Sequence, residues 1–289
     1  MAIGYLSGKA RAFDEPGAIA LNKFVFFVSL PMLVFWLVAS VDFSHFPWKM
    51  VLAVLFVELM TYMVSVTVAY FLFRRDIAEA VLIGLAAAYP NHVLFVQPVA
   101  VILFGESISI PITAIIVIDT TILFGVAVVL MDTFSVSQPS PRRLLKRYVK
   151  NPFILAILAG WAASLGQVPI PDGLALFLTF TGRAAAPTAL FALGVLLSQR
   201  PALANPILPL TVTGIKVLVQ PLIAWFVLIQ VLGFPPPETI PALMVTAGPS
   251  ALTAFFLAVN YRVRVDAIAQ SILFSVVASL ISLSFVSSQ

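Results

Sequence analysis

Four ionisable residues stand far inside apolar runs of this chain. Glu58 lies nine residues into 49–73 and Asp119 ten into 109–131, while Arg183 and Lys216 each lie eleven into 172–197 and 205–231. At about 1.5 Å per helical residue, each reaches the neighbourhood of a bilayer's midplane. A charge there costs about 2.5–3.5 kcal/mol on insertion scales, so it persists where it pairs, relays a cation or holds a charged ligand. Glu58 and Asp119 are therefore candidates for ion coupling. Lys216 and Arg183 are candidates for binding an anion, the guanidinium as a fork on a carboxylate. Each also has a packing alternative. Glu58 and Lys216 can neutralise each other, Arg183 can hold carbonyls freed at a nearby break, and the Thr120-Thr121 hydroxyls can satisfy Asp119.

The second chemical signal is a pair of interruptions. Residues 78–104 are broken at Tyr89-Pro90-Asn91 and residues 238–258 at Gly248-Pro249-Ser250. Proline removes a backbone donor and clashes with the preceding turn. In hydrocarbon the freed groups need partners, so such breaks survive only where protein or a water-filled site supplies them. Matching interruptions in two halves of a membrane chain point to a transporter's binding site. Asn91 and Ser250 follow their prolines and so begin half-helices, whose exposed N–H groups and positive dipole ends favour a carboxylate. Thr253 faces the side of Ser250 at helical spacing and joins them as a substrate-binding candidate. Gln220, one turn after Lys216, is a weaker one. His92 reads as a packing residue beside the break, although an imidazole can titrate near neutral pH.

The elements that must position these residues are membrane spans. At 61% hydrophobic and 10% charged, the chain departs far from a soluble domain, which averages about 25% charged. Complete spans read as 17–40, 49–73, 78–104, 109–131, 152–168, 172–197, 205–231, 238–258 and 264–286, each about long enough for a bilayer. Connections holding Lys9/Arg11, Arg74/Arg75, Arg142/Arg143/Lys146/Arg147/Lys150, Arg200 and Arg262/Arg264 alternate with ones holding only Lys49 among Lys and Arg. The positive-inside rule places the basic set in the cytoplasm and the C-terminus outside. The net charge of +4 thus reflects loops and not nucleic-acid binding.

A repeat is countable. Pro31 and Pro90 are 59 residues apart, Pro187 and Pro249 are 62 apart, and the halves are offset by 156 to 159 residues. Pro31 and Pro187 are therefore expected to break their helices as Pro90 and Pro249 do. Glu58 and Lys216 fall at equivalent positions. Five spans per half is odd, so the second half must be inverted. The expected organisation is 1–134 as first repeat, 135–151 as basic cytoplasmic linker and 152–289 as second repeat. The counterpart of 152–168 would begin before Met1, so the first helix reads as incomplete, through either a misassigned start or a genuine nine-span chain.

The runs LNKFVFFVSLPMLVFWLVA, AAAYPNHVLFVQPVAVILFGE, NPFILAILAGW, APTALFALGVLL and MVTAGPSALTAFFLAVNY resemble the auxin efflux carrier family, which includes bacterial malonate-type transporters. The resemblance covers nearly the whole chain. It implies an all-α membrane protein of two inverted five-helix repeats with two broken helices crossing near the membrane centre, as in sodium–proton antiporters and bile-acid transporters. It further implies a scaffold part, a moving transport part and cation-coupled or potential-driven carriage of small organic anions. Tyr89-Pro90-Asn91-His92 and Gln97-Pro98 stand where the family is commonly Gly-Asn-rich and then Gly-x-Pro, so the resemblance assigns no substrate.

The expected function is secondary active transport of small organic anions, mono- or dicarboxylates such as malonate, across a bacterial-type inner membrane by alternating access. The alternatives are a sodium- or proton-coupled carrier of the bile-acid type, or a non-transporting sensor or assembly subunit. No enzyme chemistry is visible. There is no phosphate loop or paired-histidine motif, and with zero cysteines no disulfide, thiolate metal site or cysteine nucleophile. No cofactor is expected beyond coupling to H+ or Na+, and the choice between them stays open. The partners are the anion and the lipid bilayer, with a homodimer compatible but the oligomeric state open.

Overall fold

A run of about 20 apolar residues satisfies its backbone in hydrocarbon by forming a helix, and these runs do so. The computed structural model describes residues 1–41, 46–134, 150–199 and 206–287. Residues 135–149 of the expected linker, with Arg142, Arg143, Lys146 and Arg147, lie outside the described residues, as does Arg200. In chain order the helices are α1 (Ala2–Lys9), α2 (Glu15–Ala39), α3 (Trp48–Leu72), α4 (Ile77–Ala88), α5 (Gln97–Phe104), α6 (Glu106–Phe134) and α7 (Pro152–Leu165), followed by α8 (Asp172–Ser198), α9 (Ile207–Val231), α10 (Pro236–Ala247), α11 (Thr253–Asn260) and α12 (Asp266–Leu283). Six of them, α2, α3, α6, α8, α9 and α12, are long and apolar enough to cross a membrane. The chain is an integral membrane protein, and its described residues form no strand.

Local chemistry sets several starts. The Asp14 carboxylate accepts from the Gly17 N–H ahead of α2 (2.9 Å), with Pro16 in the first turn. The Asn151 side chain likewise accepts from Phe153 (3.0 Å) at the start of α7, with Pro152 at its first position. Both pairings satisfy an N–H that a helix start leaves open and use proline where its missing donor costs nothing.

The chain gathers into two compact units. One comprises 1–44, 128–204 and 255–266, hence α1, α2, α7 and α8. Its helices approach through small residues, which let backbones close up where no hydrophobic drive exists between helices. Gly4 and Gly194 allow α1 onto α8, because a side chain at either would run into the other helix's backbone. Gly160 of α7 rests on Val38 and Phe35, and Gly182 of α8 on Leu33. The other unit comprises 45–127, 205–254 and 267–289. It holds α3, α4, α5, most of α6, α9, α10 and α12. Within it α4 lies on α3, with Gly84 against Val66 and Tyr62.

The four expected helix breaks behave in two ways. The segments around Pro90 and Pro249 are fully interrupted, between α4 and the π-helical turn His92–Val96 and between α10 and α11. At Pro31 the helix continues. Leu30 keeps helical angles (φ −67°, ψ −45°) and the five residues Val25–Ser29 widen into a π turn, which relieves the crowding a proline ring causes. Pro187 likewise lies inside a continuing helix, three residues after a single non-helical turn at Ala184.

Candidate functional site

At each full break, the residue before proline takes extended angles, as the ring's clash with its neighbour requires. Tyr89 has φ −84° and ψ 114° and Gly248 has φ −66° and ψ 163°. The two extended stretches then satisfy each other. The Asn91 N–H donates to the Pro249 carbonyl (2.8 Å) and the Ala251 N–H to the Tyr89 carbonyl (3.0 Å), with Pro90 opposite Ser250 as in one rung of an antiparallel ladder. The approach is close enough that a β-carbon at Gly248 would run into Val96.

Interrupting α4 and α10 also strands carbonyls at their C-terminal ends, which carry partial negative charge. Residues of α9 and α12 meet them. Gln220 donates through Nε2 to the Ala88 carbonyl (2.8 Å). Lys216 donates through Nζ to the Thr246 carbonyl (3.3 Å) and to Gln220 Oε1. The Ser282 hydroxyl donates to the Ala247 carbonyl (2.8 Å). Lys216 and Gln220 are both 0% exposed, so their hydrogen bonds compensate a full loss of water. Lys216 sits within the π turn Ile215–Val219, and Gln220-Pro221 resume the α-helix behind it; such turns recur where a helix must aim a side chain.

At the opposite ends of the breaks the backbone N–H groups of Asn91, Ser250 and Ala251 are engaged, but polar side chains are not. The Ser250 N–H donates to Ser275 Oγ (3.0 Å). The Ser250 and Thr253 hydroxyls, however, are buried and make no hydrogen bond. The Asn91 side chain is partly exposed and forms none either. Unmet buried polar groups cost about 1–3 kcal/mol each, so two neighbouring hydroxyls in this state mark a place suited to a polar ligand.

The same unit contains an acidic cluster. Glu58 of α3 and Asp119 of α6 are 0% exposed and His92 is 2% exposed. One ligand atom from each of the three lies within 4.8 Å of the others. His92 Nε2 is 2.8 Å from Asp119 Oδ2. Both oxygens of Glu58 and Oδ1 of Asp119 have no hydrogen-bond partner. The Thr120 hydroxyl, one of two expected to satisfy Asp119, instead bonds the Tyr89 hydroxyl (2.8 Å). Glu58 and Lys216 form no ion pair within 4.0 Å; Lys216 faces the stranded carbonyls, and Glu58 faces Asp119.

The structure thus gathers Asn91, Ser250, Thr253, Lys216, Glu58, Asp119, Pro90 and Pro249 in one unit. Arg183, Pro31 and Pro187 belong to the other. There Arg183 is exposed and, with Phe24, Leu176, Thr179, Phe180, Thr181 and Ala184, lines a hollow of about 510 Å³. The sequence reading undervalued His92 and Gln220. The signal was present in both, since Gln220 adjoins Pro221, His92 follows Pro90 by two residues, and each lies within a turn of a candidate residue. What it lacked was the relative rotation of α5, α6 and α9.

Residues 1–287 match the family model described as "Membrane transport protein". A protein of Rhizobium meliloti named "Putative malonate transporter" is 27% identical over 285 residues, covering 96% of this chain and 88% of that protein. An "Uncharacterized transporter" of Methanothermobacter thermautotrophicus is 29% identical over 288 residues, covering 97% of this chain and 92% of that one.

Proposed function

The chain belongs to the membrane transport protein family, and is a transporter and not an enzyme; from that premise we propose that it is a secondary active transporter of small organic anions. It works by alternating access around the paired breaks at Pro90 and Pro249. The observation that carries this reading is the polarity of the breaks. Their negative ends are already met by Lys216, Gln220 and Ser282. Their positive ends leave Asn91, Ser250 and Thr253 with free side-chain donors. Half-helix N-termini suit a carboxylate. Those three residues contact the anion, and Lys216 acts as a positioning residue that holds the breaks open.

The substrate class is a mono- or dicarboxylate, malonate-like in size, supported by the name given to the Rhizobium relative. Glu58 and Asp119 carry the coupling cation, H+ or Na+. The two halves are inverted repeats; in support, each half gives its first two helices to one unit and most of its later residues to the other. The unit bearing the breaks is the transport part, and the basic connections face the cytoplasm.

The test is a thermal-shift series on purified protein with malonate, succinate, lactate and an aromatic acid, followed by uptake into proteoliposomes. A carboxylate that binds only the folded form at 100 times its Kd stabilises by about 2.7 kcal/mol. A dose-dependent shift with one of these anions, reproduced as uptake, supports the reading. A shift with organic cations and none with carboxylates overturns the substrate class.

A further inference from the structure

The cluster of Glu58, Asp119 and His92 has a feature that ion coupling by two carboxylates does not use. We propose that the Glu58 and Asp119 carboxylates hold one monovalent cation between them, and that the His92 imidazole, bonded to Asp119, relays its occupancy to the helix break at Pro90. The proposal rests on the transporter reading above.

Three observations converge on it. First, Glu58 Oε1, Glu58 Oε2 and Asp119 Oδ1 are buried acceptors without any donor, in a group whose ligand atoms lie within 4.8 Å of one another. Two fully buried carboxylates facing each other repel and have lost their water. A cation between them answers both problems at once. Second, the charges select a monovalent ion. The charged and titratable groups around Glu58 are Asp119 on α6, His92 beyond the break, the Tyr89 hydroxyl and Lys216 on α9. At the formal charges of their residue types, Glu58, Asp119 and Lys216 together leave a single negative charge. One H+ or one Na+ cancels it, whereas a divalent ion overshoots.

Third, the site is tied to the break. His92 holds one oxygen of Asp119 at 2.8 Å, and the other is unpartnered. A cation drawn between Glu58 and Asp119 competes for that carboxylate and changes its bond to the imidazole. His92 opens the π turn His92–Val96. The preceding residue is Asn91, whose N–H is bonded to Pro249 and whose side chain is assigned to the anion. The imidazole thereby links the carboxylates to the residue that begins the anion site. By linkage, whatever the cation does to the anion's affinity, the anion does to the cation's.

The experiment has a cation arm and a linkage arm. In the first, purified protein with no carboxylate added is titrated with NaCl against choline chloride at fixed pH, and separately with pH in Na+-free buffer. The folded protein is expected to gain thermal stability with one of the two, distinguishing Na+ from H+, and the gain is expected to vanish in Glu58→Gln. Indifference of the wild type to both cations overturns the site, even if malonate binds. In the second, malonate affinity is measured with the cation site empty and filled. Affinity is expected to change on the order of 5- to 150-fold in the wild type and not at all in His92→Asn, while His92→Asn still responds to the cation alone. Full linkage in His92→Asn overturns the relay. A readout that needs no His92 variant is the 15N-histidine spectrum. His45→Asn leaves His92 as the only histidine, so its ring resonance must move on adding the cation, and an unmoved one again overturns the relay. Absence of any carboxylate response in the wild type refutes the transporter reading, and the cation arm still decides the site.

Discussion

Lys216 and Arg183 stand equally deep in their spans by sequence, yet their surroundings differ completely. Lys216 is 0% exposed and spends its ammonium on a stranded carbonyl and an amide oxygen. Arg183 is exposed beside Phe180 and Phe24 in the other unit. The same contrast holds for the prolines. Pro90 and Pro249 follow extended residues and leave true gaps, while Pro31 and Pro187 ride inside helices that go on. Depth and residue type are therefore shared by both regions. What separates them is whether the neighbouring chain offers partners for the groups a break releases.

The largest expected effect follows from this. Lys216→Met removes the donor to the Thr246 carbonyl and to Gln220 Oε1 and leaves both buried, at roughly 1–3 kcal/mol each. Arg183→Met, at an exposed position, should stay within about 0.5 kcal/mol. Paired thermal-unfolding measurements in one detergent decide the matter. Equal losses in the two variants would erase the distinction between the regions.

Gly248→Ala comes next. Its new methyl meets Val96, a β-branched side chain with little freedom to turn aside. Overpacking of this kind costs about 1–3 kcal/mol. The cost should fall on the break itself, so Val96→Ala in the same chain is expected to recover both stability and the response to carboxylates. Recovery of neither would mean that Gly248 is needed for something other than close approach.

Pro31→Ala sharpens the comparison from the other side. An ordinary proline in a helix interior costs roughly 3 kcal/mol against alanine. Here the π turn Val25–Ser29 has already accommodated the ring, so the change in thermal stability should be well below that figure. Pro90→Ala, by contrast, frees Tyr89 to return to helical angles and should weaken the carboxylate response. A large stabilisation in Pro31→Ala would show that its helix is strained as the other breaks are.

Much of this was legible in the sequence, because hydropathy, proline and charge are local signals. Six of the nine expected spans, the gaps at Pro90 and Pro249, and the burial of Glu58, Asp119 and Lys216 could be read from one-dimensional spacing. The partners could not. His92 and Asp119 are 27 residues apart and on different elements, so their contact depends on how two helices are rotated against each other. Repeat arithmetic placed Glu58 and Lys216 at equivalent positions, but equivalence under a symmetry does not imply contact. The role of holding freed carbonyls, weighed for Arg183, is filled at the other pair of breaks by Lys216 and Gln220. With only the single turn at Ala184 interrupting the helix near Pro187, far fewer such carbonyls are left to hold.

The smallest expected effect is also the most specific, because stability and binding should move in opposite directions. Ser250→Ala and Thr253→Val each delete a buried hydroxyl that has no partner in the folded chain. Deleting an unsatisfied group removes a desolvation cost, so thermal stability should hold or rise slightly. If the same hydroxyl donates to a bound carboxylate, its loss should weaken the anion by the worth of one hydrogen bond, about 0.5–1.5 kcal/mol or roughly two- to tenfold in Kd. The backbone bond from Ser250 to Ser275 Oγ is untouched by either change, so the geometry of the break is preserved. A hydroxyl with a purely structural role would give the reverse pattern, lower stability with unchanged affinity. Thermal unfolding and malonate titration on the same two variants therefore separate a binding residue from a packing one, even at a tenfold effect.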